Sequence, residues 1–153
     1  MGIVAIGQAV PRHEDPTLLK GEGSYTGDVS LPNQAYGYVL RSPHAHATLV
    51  SIETKAAKAA AGVIDVFTGA DCKIDGIGKL PTVQMPAPNF DFDSHVRPNR
   101  YALATDKVHF VGEEVAFVVA ETLMQARDAA ELIEVNYEPL PAVTNAIEAM
   151  QDG

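Results

Sequence analysis

The pattern of hydrophobic and polar residues predicts strands in both halves of the chain. Residues 35–41 alternate between large apolar and smaller or polar positions, as expected of a half-buried strand. Residues 47–53 alternate in the same way, which predicts that Val50 and Ile52 share one face. The other predicted strands cover residues 63–67, 107–111, 115–120 and 134–138. The proline of "SPH" separates the first two strands, because proline cannot donate a hydrogen bond to a sheet.

Helical patterns occupy two of the gaps between these strands. The segment "KAAKAAA" follows Thr54, which can cap a helix, and precedes Gly62, which can end one. Thr122 and Gln125 form a capping-box pair at the start of a second helix. The apolar face of that helix is predicted to contain Leu123, Ala126, Ala130 and Ile133. Short helical turns are predicted at "TGAD" and "TNAIEAM".

The order of these elements gives two strand–helix–strand units, which predicts a single α/β (α+β) domain over residues 35–150. Right-handed crossovers would place each helix on one face of its sheet. Residues 1–34 are rich in glycine and proline and are predicted to form an extended N-terminal arm with turns. Residues 73–100 form a long central loop, which either docks against another chain or is disordered.

Composition and charge exclude several classes of protein. The 153 residues carry a formal net charge of −9 and contain no run of lysine or arginine, which argues against a nucleic-acid partner. No stretch of about twenty apolar residues is present, so no membrane span is predicted. The start of the chain lacks the basic region of a signal peptide. A single cysteine fits a reducing compartment, and a cytoplasmic location is expected.

The stretch "RSPHAHATL", residues 41–49, holds the most distinctive polar residues. His44 and His46 would point to one face of an extended segment, but no third ligand accompanies them at metal-binding spacing. Hydrogen bonding to backbone or to a neighbouring chain is the favoured interpretation. Arg41 is expected to anchor a carboxylate or a backbone carbonyl of another domain or subunit. These three residues are therefore interface candidates, and a small metal-binding protein is the less favoured alternative.

The remaining polar motifs give no catalytic centre. Arg12, Glu14 and Asp15 form a charge cluster in the arm and are further interface candidates. The glycines of "GEGSYTG" lack the strand and helix that a phosphate-binding loop requires. Glu113 and Glu114 are adjacent, so on a strand they would point to opposite faces and not share a proton. The residues alone predict no catalytic, cofactor-binding or metal residue in this chain.

Five segments in a fixed order carry a family resemblance. They are "RHEDPTLLKGEGSYTGDVSLPN", "YGYVLRSPHAHATLVSIE", "AAGVIDVFTGADC", "YALATDKVHFVGEEVAFVVAET" and "ARDAAELIEVNYEPLPAV". Together they resemble the N-terminal α/β-hammerhead domain of the molybdenum-binding large subunit of the xanthine dehydrogenase, aldehyde oxidase and carbon monoxide dehydrogenase family. Glu114 departs from the pattern, because the family often has proline after "GE". The central loop is the least typical portion.

The resemblance implies an oxidoreductase that acts on aldehydes, N-heterocycles or carbon monoxide. In that family a molybdenum–pterin dinucleotide performs the chemistry, and electrons pass to [2Fe–2S] clusters and usually to FAD. The pterin loops and the catalytic glutamate of the family lie in later domains, so no cofactor is expected on this chain. Expected partners are the remaining domains of the large subunit, an iron–sulfur subunit and a flavin subunit. The chain would be a truncated or naturally split piece, inactive alone.

A second function class stays open beside this enzyme fragment. The chain could be a stand-alone protein-interaction module that has kept the fold without the chemistry. A neighbouring reading frame with pterin-binding glycine loops would favour the enzyme fragment over the interaction module.

Overall fold

The structure is a computed structural model that describes residues 7, 9–81 and 100–151. The chain separates into two compact units, Met1–Gln34 and Ala35–Gly153. Most of the predicted central loop, residues 82–99, lies outside the described residues. On the N-terminal side of the loop the chain is helical as far as Ile74, so the loop was predicted to begin two residues too early. Its two described ends are joined by the Leu80 N–H, which donates to the Arg100 carbonyl at 2.7 Å.

The first unit contains a helix that the prediction of an extended arm missed. Helix α1 spans Asp15–Leu19, and a 3-10 turn follows at Thr26–Asp28. The helix begins where the Asp15 carboxylate accepts from the Arg12 N–H at 3.0 Å. Pro16 lies in its first turn, where no intrahelical hydrogen bond needs the missing N–H. The described residues of this unit include none that is buried.

The second unit contains two small antiparallel sheets. Its strands are β1 (Tyr36–Arg41), β2 (Ala47–Glu53), β3 (Val63–Thr68), β4 (Lys107–Val108), β5 (Glu114–Ala120) and β6 (Glu134–Pro139). Its helices are α2 (Lys55–Lys58), α3 (Gly69–Ile74) and α4 (Leu123–Glu131), with a 3-10 turn at Glu148–Met150. Sheet 1 has the strand order β1-β5-β3, and sheet 2 has the order β4-β2-β6. The predicted strands are confirmed, although β4 stops early because the chain turns back at Gly112, whose φ is +91°.

Each predicted strand–helix–strand unit runs from one sheet to the other. The unit β2–α2–β3 begins in sheet 2 and ends in sheet 1, whereas β5–α4–β6 runs in the opposite direction. All pairings of the described strands are antiparallel. The expectation of right-handed crossovers within one sheet is therefore wrong, because a hydrophobic pattern identifies strands without identifying their partners.

No helix in the described ranges is long and apolar enough to cross a membrane.

Two clusters of buried residues form the core. The first lies between sheet 1 and the helices α2 and α4, and its buried members are Ala57, Val66, Ala116, Val118, Ala120, Ala126, Ala129, Ala130 and Ile133. The second consists of Ala47, Ala104, Val108 and Val115. Ile52 and Val135 are paired across β2 and β6, and both side chains pack against both clusters. This pair therefore connects the two parts of the core.

The ends of the predicted helices differ in detail from the structure. Ala126, Ala130 and Ile133 are buried as predicted for the apolar face of the second helix. The prediction is wrong only for Leu123, which is 46% exposed. Thr122 caps α4 by accepting from the Gln125 N–H at 3.2 Å. The prediction that Thr54 caps α2 is wrong, because its backbone is already helical and its side chain makes no cap hydrogen bond. Gly62 ends the α2 region as expected, with a φ of +77°.

Strand β2 contains an irregularity that the alternating pattern does not reveal. Leu49 pairs with Tyr137 and Ser51 pairs with Asn136, so Val50 is the extra residue of a bulge. Val50 is consequently 56% exposed, whereas Leu49 and Ile52 both pack against the core. The prediction that Val50 and Ile52 share a face is therefore wrong.

Candidate contact site at the junction of the two sheets

Two connections between the sheets lie side by side. Residues 42–46 lead from β1 in sheet 1 to β2 in sheet 2, and residues 109–113 lead from β4 in sheet 2 to β5 in sheet 1. The Ser42 N–H donates to the Glu113 carbonyl at 2.9 Å, and the Gly112 N–H donates to the Ser42 carbonyl at 2.8 Å. We call residues 41–46 and 109–114 the inter-sheet junction. It contains three of the six predicted interface residues.

Arg41 makes its contacts within the junction. Its Nη1 donates to the Gly112 carbonyl at 2.8 Å and to Glu114 Oε1 at 2.7 Å. These partners are the carbonyl and the carboxylate expected from the sequence, but they belong to the same domain. Burial would raise the pKa of Glu114, but the hydrogen bond from Arg41 and further favourable contacts lower it below the ordinary value of 4.5.

Ser42 is a buried polar residue that the sequence reasoning did not single out. The residue is only 2% exposed, and its Oγ accepts a hydrogen bond from the His44 N–H at 3.0 Å. The same hydroxyl donates to the His44 carbonyl at 3.1 Å. The signal in the sequence was the serine before proline, because serine hydroxyls often bond to a backbone two residues onward in a turn.

The two histidines have different neighbours, which corrects the expectation that they face one side of an extended segment. The His44 ring packs against Tyr137 with ring centroids 4.8 Å apart. The His46 Nδ1 lies 2.8 Å from the Pro141 carbonyl oxygen, and its ring lies 6.3 Å from that of His109. The segment bends after Pro43, so side chains two residues apart no longer point the same way. Burial raises the pKa of Tyr137, with a smaller opposing effect of the nearby Ser42 hydroxyl.

Glu113 and Glu114 contact different groups. Glu113 accepts a hydrogen bond from the His109 backbone N–H, and its Oε2 lies 3.3 Å from His109 Nδ1. Glu114 contacts Arg41 instead. Both carboxylates thus hold the junction, Glu113 through His109 and Glu114 through Arg41.

The predicted charge cluster of the arm is not a set of ion pairs among its described side chains. Asp15 accepts from the backbone N–H of Arg12, and the Glu14 carbonyl accepts from the N–H groups of Thr17 and Leu18. The side chains of Arg12 and Glu14 are exposed. These three residues initiate helix α1, and two of them present their charges at the surface.

Several recesses open on the second unit, and two of them differ clearly in polarity. A polar one of about 580 Å³ is lined by Gly69, Ala70, Lys73, Tyr101, Ala104, Thr105, Asp106, Lys107, His109 and Glu113. An apolar one of about 360 Å³ lies on the face of sheet 1 opposite α4. Its base is the row Val39, Phe117 and Phe67, which are directly paired across the three strands. Gly37 leaves room for the Phe117 ring, since a Cβ there would lie 2.4 Å from the ring Cζ.

The described residues do not provide the donor set of a metal centre. Within residues 7, 9–81 and 100–151, no three histidine, cysteine, aspartate or glutamate side chains are grouped to hold a metal ion. A [2Fe–2S] cluster takes four protein ligands, usually cysteines, and the whole sequence contains only Cys72. Burial, followed by the nearby Asp71, raises the pKa of the Cys72 thiol. One cysteine therefore does not fit the ligand set of a cysteine-bound iron–sulfur cluster.

Comparison with known proteins relates this geometry to a family. Residues 20–141 match the sequence profile described as "Aldehyde oxidase and xanthine dehydrogenase, a/b hammerhead domain". The carbon monoxide dehydrogenase large chain of Afipia carboxidovorans is 41% identical over 140 residues, which are 92% of this chain and 16% of the relative. The chain belongs to the a/b hammerhead domain family.

Solved structures agree with this membership. The structure of a Cu,Mo-CO dehydrogenase covers 95% of this chain at a TM-score of 0.79 and 41% identity, with 17% of its own chain matched. Quinoline 2-oxidoreductase from Pseudomonas putida 86 matches 95% of this chain at a TM-score of 0.79 and 40% identity, with 18% of its chain covered. The chain thus spans about a sixth of the length of these relatives. The hammerhead profile includes the entire inter-sheet junction and excludes Arg12, Glu14 and Asp15.

Proposed function

We propose that this chain is the N-terminal structural and subunit-contact domain of a molybdenum hydroxylase large subunit. The complete enzyme would be an oxidoreductase acting on aldehydes, N-heterocycles or carbon monoxide, and the chain alone would be inactive. The observation that carries this proposal is the match over nearly all of this chain to about a sixth of each larger relative. A match of this extent supports the proposal that the chain is one module of a larger protein.

The cofactors are proposed to lie on other parts of the complex. The molybdenum–pterin dinucleotide would be held by the remaining domains of the large subunit, because the resemblance implies that the pterin loops lie in later domains. The [2Fe–2S] clusters and FAD would be held by the iron–sulfur and flavin subunits. This chain would then position its neighbours without touching the reacting atoms. The complex is proposed to be cytoplasmic.

The arm supports a contact role. Its described residues include large apolar side chains that are mostly exposed, among them Leu19, Tyr25 and Leu31. A helix of five residues with no buried side chain is not stable by itself in water. We propose that Arg12, Glu14 and Asp15 contact neighbouring domains, and that exposed parts of Arg41, His44 and His46 do so as well.

A chimaeric enzyme tests the proposal. This chain would replace the matching 140 residues of the Afipia carbon monoxide dehydrogenase large chain, expressed together with that enzyme's partner subunits. We expect the chimaera to assemble, to contain molybdenum and to reduce a dye with carbon monoxide. A large chain with the same deletion and no replacement should do none of these. The 153-residue chain alone should neither retain molybdenum nor reduce the dye.

Two outcomes would contradict the proposal. One is a chimaera that folds but does not bind the partner subunits, and the other is turnover by the isolated chain. The contact residues are tested in the same chimaera with the double variant Arg12→Ala/Glu14→Ala. Its matched control is Glu53→Ala/Lys55→Ala, which also removes one exposed charge of each sign. Only the arm variant should weaken assembly.

A further inference from the structure

Two hydrogen bonds hold the segment that follows β6, and both involve His46. The Leu140 N–H donates to the backbone carbonyl of His46 at 2.9 Å. The His46 side chain reaches the next carbonyl, that of Pro141, through Nδ1 at 2.8 Å. Residues 141–151 are exposed throughout. His46 thus contacts the chain at the point where it leaves the sheet.

The chemistry of this contact fixes the state of the imidazole. A carbonyl oxygen can only accept a hydrogen bond, so the His46 Nδ1 must carry the proton. In a neutral ring Nε2 is then unprotonated. Proline contributes to the arrangement, because Pro141 and Pro139 have no N–H with which to continue the pairing with β2. The His46 side chain therefore supplies a hydrogen bond just beyond the end of the backbone pairing between β2 and β6.

We propose that His46 is a positioning residue that fixes the direction in which the polypeptide leaves the hammerhead domain. It acts through a hydrogen bond from Nδ1 to the Pro141 carbonyl, which supports the backbone hydrogen bond between Leu140 and His46. The residue is half-buried, its ring centroid lies 6.3 Å from that of His109, and its Nδ1 faces the Pro141 carbonyl. The neighbouring His44 has no such contact and packs on Tyr137 instead.

Two isosteric substitutions separate the hydrogen bond from the ring. Asparagine places its side-chain nitrogen near the position of Nδ1, whereas glutamine places its amide near the position of Nε2. We expect His46→Asn to keep the protection of the Leu140 amide against hydrogen exchange. His46→Gln and His46→Leu should raise that exchange rate by about three- to tenfold, the loss expected for one hydrogen bond. His44→Asn, the matched control, should leave it unchanged.

Nitrogen NMR of the wild-type imidazole gives an independent reading. The neutral His46 ring should carry its proton on Nδ1, with a scalar coupling across the hydrogen bond to the Pro141 carbonyl. A proton on Nε2 in the neutral ring would overturn the proposal. So would equal exchange of Leu140 in the Asn, Gln and Leu variants. Amide spectra of the two sheets verify that each variant is folded, and a variant that unfolds is replaced by His46→Phe, which keeps a ring without a donor.

A consequence for the longer enzyme rests on the proposed function. In the chimaera, His46→Gln should weaken association with the partner subunits several-fold, and His46→Asn should not. If the wild-type chimaera itself fails to assemble, the proposed function fails while the NMR result on the 153-residue chain still decides the role of His46. The two proposals therefore fail separately.

Discussion

Sheet 1 and sheet 2 each have three antiparallel strands, but they bury their residues in different ways. Sheet 1 has α2 and α4 packed along one face, and the buried residues of this cluster are six alanines together with Val66, Val118 and Ile133. Sheet 2 buries fewer residues, and its strand β2 is bulged at Val50. The two connections at residues 42–46 and 109–113 are held by hydrogen bonds of the inter-sheet junction. Periodic packing therefore dominates within sheet 1, whereas these connections between the sheets depend on specific polar contacts.

This difference explains which parts of the sequence were informative. A helix packed on a sheet repeats its apolar positions at fixed intervals, so a pattern of residues identifies it. A bulge changes the side chain that faces the core without changing the composition of the strand. Reasoning from periodicity is therefore more reliable for sheet 1 than for sheet 2.

The largest expected effect compares one buried and one exposed valine. Val118→Asp places a charge in the first core cluster, where the residue is fully buried, and should cost at least about 4 kcal/mol of unfolding free energy. Val50→Asp adds the same charge at the bulge of β2 and should change stability by less than about 0.5 kcal/mol. Urea titrations of both variants measure this. Equal losses would mean that β2 alternates regularly and that the bulge is absent.

A smaller effect is expected where α3 meets the second core cluster. A Cβ on Gly69 would lie 2.2 Å from the backbone oxygen of Ala104, so Gly69→Ala must push the helix away. We expect a loss of about 1–3 kcal/mol, as for overpacking elsewhere. Gly78→Ala is the control, since a Cβ there meets nothing within 4 Å. It should be neutral or stabilising by up to about 1 kcal/mol. Thermal melts showing no difference between the two would contradict the close approach.

The smallest effect concerns the pair that joins the ends of β1 and β5. The Arg41 side chain is 53% exposed and that of Glu114 is 26% exposed, so solvent screening limits the pair to about 0.2–1 kcal/mol. A double-mutant cycle with Arg41→Ala and Glu114→Gln measures this coupling. If Arg41 instead acts mainly on a partner, its substitution should weaken assembly of the chimaera more than it lowers the stability of this domain.

The pH dependence of stability tests the same interaction between Arg41 and Glu114. The folded state lowers the pKa of Glu114, so the carboxylate contributes stability above its ordinary pKa of 4.5 and loses that contribution as the pH falls through the lower folded pKa. The stability difference between wild type and Glu114→Gln should therefore be constant from about pH 6 to 8. It should shrink below pH 4.5. A difference that grows in acid would contradict the assigned hydrogen bond.

The family and the strands could be predicted from the sequence, whereas the junction could not. Five motifs in order indicated the hammerhead domain, and the strand 47–53 has the same bounds in the structure. The contacts of Arg41, however, join residues 71 and 73 positions apart, and no local pattern indicates that pairing. The arm helix was missed because glycine and proline dominated the interpretation, although Asp15 and Pro16 are common residues at a helix start.

The pair Ile52 and Val135 has a consequence for how the domain comes apart. If the two core clusters shared no side chains, heating could unfold the less stable sheet while the other sheet stayed folded. Because these two residues serve both clusters at once, the loss of either cluster removes partners from the other. We therefore expect both sheets to unfold together in a single cooperative thermal transition.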